Sequence, residues 1–480
     1  MVNIAPLFIA MALTTPNSTP VTARPPAPIG PLPSARQLHW QNLKIYAFCH
    51  FGPNTFSNRE WGLGTESNDL FQPKHLDCDQ WAKTLKEAGF SGMILTAKHH
   101  DGYCLWPTRW TTHSVASDTW MDGKGDVVKS ASEAAHKYGL NFGVYLSPWD
   151  RNQPAYGTAQ YNKIYAAQLT ELCSHYGPLF EVWFDGANGE GPNGKHQVYD
   201  WSLFHQVVRQ LQPDACMFSD AGPDCRWVGN ENGYADSTNW AMISTKGMYP
   251  GTFKTENSPH GQKNGSQYIP AECDVSIRPG WFYHPEEDLK VKSVAHLMNI
   301  WYRSVGRGCN LILNVPPDKD GVISKYDVDR LLEFKKARDA EFAHRIHPKA
   351  IISNVDRGAG YEAWRVDKNG KDGYWSAPDG VHRGSVTLEF GKDVAFNRVK
   401  LKEVVALGQR VSQFELQVKT ADGWQSIRPD QTTTIGVRRY LRFPTVHGNA
   451  LRLTILRSRA CPNISCFQVF HGPDTYSVGM

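Results

Sequence analysis

The chain has 480 residues, of which 41% are hydrophobic and 20% charged, a composition typical of a globular protein with more than one domain. The net charge of +4 is not concentrated in any run of Lys or Arg, so the sequence gives no support for binding to nucleic acid or to a membrane surface. No apolar run is long enough to span a bilayer.

Residues 1–33 are predicted to be a lead-in to the folded chain. Ile4 to Leu13 form a short apolar segment, and Val21-Thr22-Ala23 resembles a small-residue cleavage site, although no Lys or Arg precedes the segment. Residues 14–33 are rich in Pro and Thr, which predicts an extended and poorly ordered stretch. We therefore expect a signal peptide and a secreted or periplasmic protein.

From residue 34 to residue 346, apolar β-prone runs recur with helical patterns between several of them. The predicted strands are Ile45–Phe51, Gly92–Ala97, Asn141–Leu146, Leu179–Phe184, Cys216–Ser219 and Asn310–Val315. The predicted helices run from Asp126 to Gly139, from Tyr161 to Tyr176, from Trp201 to Leu211 and from Lys325 to Arg345. This alternation is typical of α/β proteins with parallel sheets, and about 300 residues of it favour a (β/α)8-like barrel of the TIM type. We expect the second half of the barrel to be distorted.

The pattern changes after residue 346. The segments SVTLEF, FNRVKLKEVV, FELQVKT, YLRFPTV, ALRLTIL and CFQVF are short, alternating and rich in Val, Thr and Phe. They predict an all-β sandwich over residues 347–480. Ten cysteines are scattered along the chain without a CxxC pair, so a structural zinc site is not indicated, and only Cys461 and Cys466 are close enough to suggest a disulfide.

Polar and aromatic residues cluster where the predicted barrel strands end. The carboxyl ends of the strands in such a barrel meet at one face, where reactive side chains gather. The candidates are His50, Glu60, Trp61, His99, His100, Tyr145, Trp183, Asp185, Glu231, Glu272, Arg278 and Trp281. The chain lacks a Walker loop, a dinucleotide-binding glycine fingerprint and a GxSxG elbow. A pocket of Trp, His and carboxylates without these motifs is what a sugar-processing site needs.

Glycosidic cleavage usually takes two carboxyl groups, one ionised and one that holds a proton. Asp185 fits the first role because it directly follows a predicted strand, although its Asp-Gly dipeptide is also common in turns. Glu231, close to Trp227, and Glu272, upstream of Trp281, both fit the second role. Partial burial against an aromatic side chain raises the pKa of a glutamate.

Simpler interpretations stay open for some of these residues. His99 and His100 could be ordinary loop residues, and Glu272 could simply pair with Arg278. A metal-dependent hydrolase that uses both histidines and Asp185 is a further alternative, but the sequence lacks the HExxH and HxH spacings. We therefore expect no metal and no cofactor.

The motifs HFGPNTF, EWGLG, TAKHHDGYCLWPT, YLSPWD, EVWFDG, RWVGNENG and ECDVSIRPGWFYH follow one another along the chain. Together they resemble the α-L-fucosidases of glycoside hydrolase family 29, most closely the branch that prefers α-1,3/1,4-linked fucose. The resemblance implies a distorted (β/α)8-like barrel followed by a galactose-binding-like β-sandwich. It also implies a retaining double displacement on fucosylated oligosaccharides or glycoprotein glycans, without metal or cofactor.

The resemblance also implies roles for individual residues. Asp185 would be the nucleophile and Glu231, in GNENG, the general acid/base, with Glu272 as the alternative. The positions implied to hold fucose are His50, Glu60, Trp61, His99, His100, Tyr145 and Trp183, and Arg278 and Trp281 are further candidates for the pocket wall. A non-catalytic, lectin-like protein on the same fold is the alternative function. The oligomeric state and any sugar binding by the sandwich stay open.

Overall fold

The computed structural model describes residues 23–252, 258–427 and 432–474. Within these ranges the chain forms a closed barrel of parallel strands, followed by an antiparallel β-sheet domain. The predicted apolar segment of the signal peptide lies outside the described residues. No helix within the described ranges is long and apolar enough to cross a membrane.

Ten short strands make up the first part of the chain. They are β1 (Ile45–Cys49), β2 (Gly92–Lys98), β3 (Asn141–Leu146), β4 (Leu179–Trp183), β5 (Cys216–Ser219), β6 (Cys225–Trp227), β7 (Met242–Ile243), β8 (Gln267–Tyr268), β9 (Ala271–Ser276) and β10 (Asn310–Asn314). Eight of them close into a barrel in the order β1-β10-β9-β6-β5-β4-β3-β2, and β7 and β8 form a separate antiparallel pair. The predicted (β/α)8-like fold is confirmed.

In the part of the chain that the structure describes, eight α-helices accompany these strands. They are α1 (Ala35–Leu43), α2 (Pro53–Ser57), α3 (Cys78–Glu87), α4 (Val127–Lys137), α5 (Ala159–His175), α6 (Trp201–Leu211), α7 (Val294–Arg303) and α8 (Lys325–Glu341). Asp126 caps α4, since its side chain accepts a hydrogen bond from the backbone N–H of Lys129 at 2.8 Å. The predicted helix to Arg345 ends four residues earlier, because Arg345 and Ile346 pair with the last strand of the chain.

Two barrel strands, β6 and β9, lie in stretches that the sequence analysis left without a strand. No helix separates β5 from β6, which are joined by only five residues, so the second half of the barrel is distorted as expected. Strand β9 was missed because it carries Glu272 and Asp274 and therefore has no continuous apolar run. Its other residues, Cys273 and Val275, pack in the layer between barrel and helices. Because strand side chains alternate, both carboxyl groups point into the barrel.

The interior of the barrel is a small aromatic core, distinct from the larger core between barrel and helices. It contains Trp40, Tyr46, Phe48, Ile94, Tyr145, Phe180, Trp183, Phe218 and Ile312. Tyr46 and Phe180 meet edge to face at 5.0 Å, and Trp183 stacks on Phe218 at 4.0 Å between ring centroids. These rings form a rigid floor below the carboxyl ends of the strands.

The C-terminal part is all β, as predicted. Its strands are β11 (Arg345–Ile346), β12 (Ala350–Ser353), β13 (Trp375–Ser376), β14 (Gly384–Glu403), β15 (Val411–Thr420), β16 (Gly423–Ile427), β17 (Arg439–Ser458) and β18 (Asn463–Phe470). They form one antiparallel sheet around its own hydrophobic core. β14 and β17 each join two of the predicted segments, and a register shift between Glu389 and Val394 allows such a long strand to bend around the core.

The cysteines do not pair. All ten lie within the described ranges, and all are free and buried, so the suggested disulfide between Cys461 and Cys466 is wrong. The thiol of Cys461 instead lies 3.1 Å from a guanidinium nitrogen of Arg410. Cys466 is part of β18 and its sulfur lies 3.7 Å from the carbonyl oxygen of Lys400. Within the described residues, the C-terminal domain is therefore held without disulfides, by packing, hydrogen bonds and ion pairs such as that of Arg357 with Asp379.

A buried arginine joins the two domains. Arg438 precedes β17 and is 1% exposed, and its guanidinium enters the amino-terminal end of the barrel. It donates hydrogen bonds to the carbonyl oxygens of Gln41 at 2.6 Å, Val305 at 3.1 Å and Cys309 at 2.5 Å, and to Oδ1 of Asn310 at 2.7 Å. The antiparallel domain is thereby fixed to the end of the barrel away from the carboxyl ends of the strands.

Candidate active site

A cavity of about 180 Å³ opens at the carboxyl ends of the barrel strands. Its lining residues are Phe48, His50, Trp61, His99, His100, Tyr145, Trp183, Asp185, Ala187, Glu231, Asp274 and Trp281. Most of the residues predicted from strand ends therefore meet in one place. Glu60, Glu272 and Arg278 are not part of this wall, and Phe48, Ala187 and Asp274 are additional members that the sequence analysis did not propose.

Asp185 is fixed at the end of β4 by two hydrogen bonds. The hydroxyl of Tyr145 donates to its Oδ2 at 3.0 Å, and the backbone N–H of Ala187 donates to its Oδ1 at 2.7 Å. Nε2 of His100 lies 3.9 Å from the same Oδ2, and 28% of the Asp185 side chain is exposed. The carboxylate is therefore rigid and reachable from the cavity.

The glycine after Asp185 is required by close packing. A Cβ atom at Gly186 would lie 2.6 Å from the backbone nitrogen of Gly251 and 2.7 Å from Oδ2 of Asp220. Only glycine fits here while Asp185 stays in place. The Asp-Gly dipeptide does not form a turn, so the glycine is explained by this close approach and not by a turn.

Three histidines form one side of the cavity, and burial lowers the pKa of each of them, that of His50 to about 3. Their Nδ1 contacts are His50 with Oδ1 of Asn314 at 2.8 Å, His99 with Nδ2 of Asn54 at 3.3 Å and His100 with Oγ of Ser147 at 2.7 Å. Asn314 can only accept through its oxygen, so His50 is protonated at Nδ1 and offers Nε2 as an acceptor. Asn54 donates, so His99 carries its proton on Nε2. The neutral rings thus present both an acceptor and a donor to a ligand.

Glu231 lies in the loop after β6, at the exposed rim of the cavity. Oδ1 of Asn230 accepts from the backbone N–H groups of Asn232 and Tyr234 at 3.2 and 3.3 Å, which fixes this tight loop. Partial burial raises the pKa of Glu231, and the charge of Asp185 raises it further, while a hydrogen bond from Trp281 acts in the opposite direction. This carboxyl group is thus favoured to keep its proton longer than a free glutamate.

Glu60 supports the cavity wall from behind. Its carboxylate accepts from the backbone N–H of Trp281 at 2.7 Å and of Phe282 at 3.4 Å, and it pairs with Nε2 of His284 at 2.5 Å. Glu60 thus holds the backbone at Trp281 in position. Glu60 is not among the residues of the cavity wall, but 41% of its side chain is exposed, so its contact with a ligand stays a prediction.

The expectation that Glu272 lines the pocket is corrected, since it lies below the cavity and is 0% exposed. It accepts a hydrogen bond from Nε1 of Trp183 at 2.8 Å and hydrogen-bonds to Tyr46 and to Glu181. The alternation of β9 places Glu272 one layer deeper in the barrel than Asp274. It therefore has no surface from which to reach a leaving group.

Arg278 does not reach the cavity either. It lies two residues beyond β9, is 0% exposed and turns toward α8. Its Nε lies 2.9 Å from Oδ2 of Asp327, and its Nη2 lies 2.8 Å from Oδ1 of Asp288. Arg278 therefore fixes the loop after β9 to α8, and the suggested pairing with Glu272 is wrong as well.

Asp274 is the carboxyl group that the sequence analysis missed. It lies in the cavity wall and accepts a hydrogen bond from Nε1 of Trp227 at 2.7 Å. Burial raises its pKa well above the ordinary value, and the nearby charge of Glu231 adds to this. The signal in the sequence was its spacing of two residues from Glu272, which places both side chains on one face of a strand.

A second cavity, of about 270 Å³, adjoins the first and shares Trp183, Asp185, Glu231 and Asp274 with it. Its further wall residues include Asp220 and Trp227. Asp185 and Glu231 thus lie at the boundary between two spaces. In neither cavity do three or more His, Cys, Asp or Glu side chains from the described part of the chain form a group that could hold a metal ion.

Comparison with known proteins gives one consistent result. Residues 33–336 match the family model described as alpha-L-fucosidase. Alpha-L-fucosidase 1 of Arabidopsis thaliana is 41% identical over 455 residues, covering 94% of this chain and 89% of that protein.

The chain belongs to the α-L-fucosidase family, glycoside hydrolase family 29.

Solved structures of this fucosidase family superimpose closely on the structure of this chain. A Ruminococcus gnavus family 29 fucosidase in complex with fucose is 29% identical, with a TM-score of 0.86 and coverage of 95% of this chain and 98% of that one. A family 29 glycoside hydrolase from an unknown rumen bacterium is 38% identical, with a TM-score of 0.82 and coverage of 93% and 78%.

Below the fucosidase pocket, two buried carboxyl groups share a hydrogen bond. Glu181 of β4 and Glu272 of β9 are both 0% exposed, and Nε1 of Trp40 donates to Glu181 at 2.7 Å. Two ionised carboxylates cannot coexist there, so the pair holds a proton. Burial raises the pKa of Glu181 to about 7 and that of Glu272 well above its ordinary value.

This pair predicts a pH-dependent stability. The folded chain keeps a proton that an unfolded glutamate, with a pKa of 4.5, has released, so the contribution of the pair is complete below that pH and is lost as the pH rises through about 7. In Glu272→Gln, the amide can donate to an ionised Glu181, so we expect a smaller loss of stability between about pH 5 and pH 8. Urea unfolding midpoints measured across this range test the prediction.

Glu389→Gln is the matched control, because Glu389 is an exposed glutamate on β14. It should leave the pH profile of the unfolding midpoint unchanged. A Glu272→Gln profile that is parallel to the wild-type profile would show that the pair does not share a proton.

Proposed function

We propose that this chain is a retaining exo-α-L-fucosidase that hydrolyses terminal α-1,3/1,4-linked L-fucose from glycans. The main support is that Asp185 and Glu231 line one cavity. The first is fixed by Tyr145 and Ala187, and the second has a raised pKa beside Trp281. A retaining glycosidase needs such a pair with its carboxyl groups about 5–5.5 Å apart.

In the first step of the proposed reaction, an Asp185 oxygen bonds to the anomeric carbon of fucose. The bond from that carbon to the leaving oxygen breaks, and the proton of Glu231 moves to this oxygen. In the second step, Glu231 takes a proton from water while the water oxygen attacks the same carbon. The bond to Asp185 breaks, fucose leaves with its original anomeric configuration, and both carboxyl groups return to their starting states.

The rest of the cavity fits the binding of one sugar ring. His50 offers an acceptor and His99 a donor to ring hydroxyl groups, and both are neutral, so the pocket adds no positive charge that would compete for Asp185. Trp183 and Trp281 provide apolar surface for the faces of the ring. Glu272 holds the indole of Trp183 and Glu60 holds the backbone of Trp281, which gives these two glutamates supporting roles.

The adjoining cavity is the proposed place for the sugar from which fucose is released. It shares Asp185 and Glu231 with the first cavity and has Trp227 and Asp220 in its wall. A leaving oxygen at the boundary would be within reach of Glu231. The preference for α-1,3 and α-1,4 linkages rests on the resemblance of RWVGNENG to that branch of the family, since this loop borders the cavity. We also propose that the N-terminal segment is a signal peptide that directs export of the protein.

A panel of fucosylated oligosaccharides tests both the activity and the linkage. We expect free fucose from an α-1,3- and an α-1,4-linked trisaccharide at rates at least about tenfold above those from an α-1,2-linked one. Chromatographic measurement of released fucose distinguishes the outcomes. Binding of all trisaccharides without release would favour a lectin-like protein, and faster release from the α-1,2-linked substrate would contradict the proposed branch.

Asp185→Gly should abolish the attack on the anomeric carbon. We expect the turnover of an aryl fucoside to fall by at least about 10³-fold, because the covalent intermediate cannot form. Added azide should occupy the space of the lost carboxylate and give β-fucosyl azide, identified by NMR. Glu190→Ala, an exposed glutamate in the same loop, is the control and should turn over normally. Near-wild-type turnover of Asp185→Gly would exclude Asp185 as the nucleophile.

Glu231→Ala should slow a substrate more strongly the poorer its leaving group is. A good aryl leaving group departs without a proton, whereas a sugar alcohol needs one. We expect turnover of the trisaccharide to fall at least about 10²-fold more than turnover of the aryl fucoside. Steady-state kinetics on both substrates measure this difference. Equal losses on both would argue that Glu231 positions the sugar and does not transfer the proton.

A further inference from the structure

A separate cavity lies at the opposite, amino-terminal end of the barrel, where the antiparallel domain meets it. Its volume is about 420 Å³, within the range of small-molecule sites. Its wall is formed by the start of β1, by residues on or next to α7 and α8, and by β14 and β17 of the antiparallel domain. It shares no residue with the fucosidase pocket.

The wall of this cavity is strongly cationic. It contains Lys44, Lys335, Arg338 and Lys400, against the single carboxylate of Asp339. Asp339 is already paired with Lys335. Within the described residues, neither Lys44 nor Lys400 forms an ion pair or donates a hydrogen bond from its ammonium group. The cavity therefore carries an excess of positive charge without a protein partner.

Lys400 is held in place by aromatic rings that cannot accept its hydrogen bonds in full. Its Nζ lies 3.7 Å from the ring centroid of Phe342, 4.9 Å from that of Phe470 and 5.7 Å from that of Tyr440. Burial lowers the pKa of Lys400 to about 8, and the charge of Lys44 contributes to this. Its N–H groups are left for an acceptor inside the cavity.

Lys44 and Arg338 are the other cations of the wall; Lys44 lies partly in solvent, and Nη2 of Arg338 donates to the carbonyl oxygen of Ala88. Burial and the charge of Arg438 lower the pKa of Lys44 to about 8. The backbone of Lys44 has φ 67°, a conformation that is unfavourable for a non-glycine residue. Nε of Arg338 is buried without a hydrogen-bond partner. Lys44, Lys400 and Arg338 thus line one space whose wall carboxylate, that of Asp339, is already paired with Lys335.

Part of the remaining wall is aromatic. Trp301 lies 5.3 Å from Tyr440 and 5.9 Å from Phe342 between ring centroids, and all three residues line the cavity. Flat aromatic surface beside cationic donors is suited to a ligand that combines a ring with an anionic group. A bare inorganic anion would leave the aromatic wall unused.

We propose that this cavity binds a sugar that carries a phosphate or sulfate group. The oxyanion would accept hydrogen bonds from Lys44, Lys400 and Arg338, and the sugar ring would lie against Trp301 and Tyr440. Because the wall combines residues of both domains, the ligand would also stabilise their junction. This inference does not depend on the proposed fucosidase activity.

Thermal unfolding of the full chain at about pH 7 and constant ionic strength tests the proposal. Inorganic phosphate, glucose 6-phosphate, galactose 6-sulfate and glucose are compared with chloride as the reference. We expect the unfolding temperature to rise saturably with the phosphate and sulfate compounds, most with the two charged sugars, and not with glucose. No rise beyond that of chloride, or equal rises with phosphate and glucose 6-phosphate, would contradict the proposed ligand.

Lys400→Met should weaken the binding of glucose 6-phosphate by about tenfold, because it removes one charged donor and keeps the aliphatic stem. Lys402→Met is the matched control, since Lys402 lies on the same face of β14 but outside the cavity wall. We expect it to change the affinity by less than about threefold. Calorimetric titration measures both values. Equal affinities of the two variants would overturn the proposal.

Lys335→Met provides a second test at a half-exposed position on α8, where the fold tolerates a change. This variant should also weaken the binding of glucose 6-phosphate. If the affinity is unchanged both in Lys335→Met and in Lys400→Met, the cavity is excluded as the binding site. Fucosidase turnover is measured alongside as a check that each variant is folded.

Discussion

The structure depends on how the barrel keeps carboxyl groups in its interior. A closed barrel sends every second side chain of each strand inward, so the acidic residues of β4 and β9 have nowhere else to go. Each of them receives a hydrogen bond from a tryptophan indole. These pairs are Trp40 with Glu181 at 2.7 Å, Trp183 with Glu272 at 2.8 Å and Trp227 with Asp274 at 2.7 Å. Without these donors, the buried acids would be strongly destabilising.

This arrangement explains why a fucosidase of this family is rich in tryptophan beyond the need for stacking on sugar. Trp183 contributes its ring to the pocket and its N–H to Glu272, so a single side chain connects the sugar-binding surface with the deeper acid. Trp281 has a similar dual position, because its backbone is held by Glu60 while its indole contacts Glu231. The rigidity of the pocket is thus supplied in part from below by Glu272 and from behind by Glu60.

Much of the fold could be predicted from the sequence because its signals are local. Continuous apolar runs such as Asn141–Leu146 and Cys216–Ser219 became strands with those same bounds. Strand β9 could not be found in this way, since its acids resemble a polar loop. β14 was split in two because a bulge in the middle of a strand looks like its end.

For the site, sequence order indicates which strand end a residue follows, but it does not indicate depth. Glu272 and Asp274 are two residues apart on one strand, yet only the second has a surface in the cavity. Arg278 lies just beyond the same strand, but the pairing that turns it away involves Asp327, 49 residues later. Such distant pairings are set by the packing of whole elements, so neither the spacing of residues nor a family resemblance indicates them.

Gly186 connects this geometry to the surrounding chain. Its backbone lies so close to Gly251 that either glycine, given a side chain, would clash with the other, and Asp220 accepts a hydrogen bond from the N–H of Gly251 at 2.8 Å. Gly186 and the segment around Gly251, beside the second cavity, therefore cannot move independently of each other. Insertions that reshape that segment for a new glycan would displace Asp185 as well. The opposite rim, next to Trp61, is packed in the same way, since a Cβ atom at Gly62 would lie 2.6 Å from Oδ1 of Asn54 and one at Gly64 would lie 2.5 Å from the backbone of Arg151. A change of substrate preference on either rim therefore has to move more than one segment of the chain.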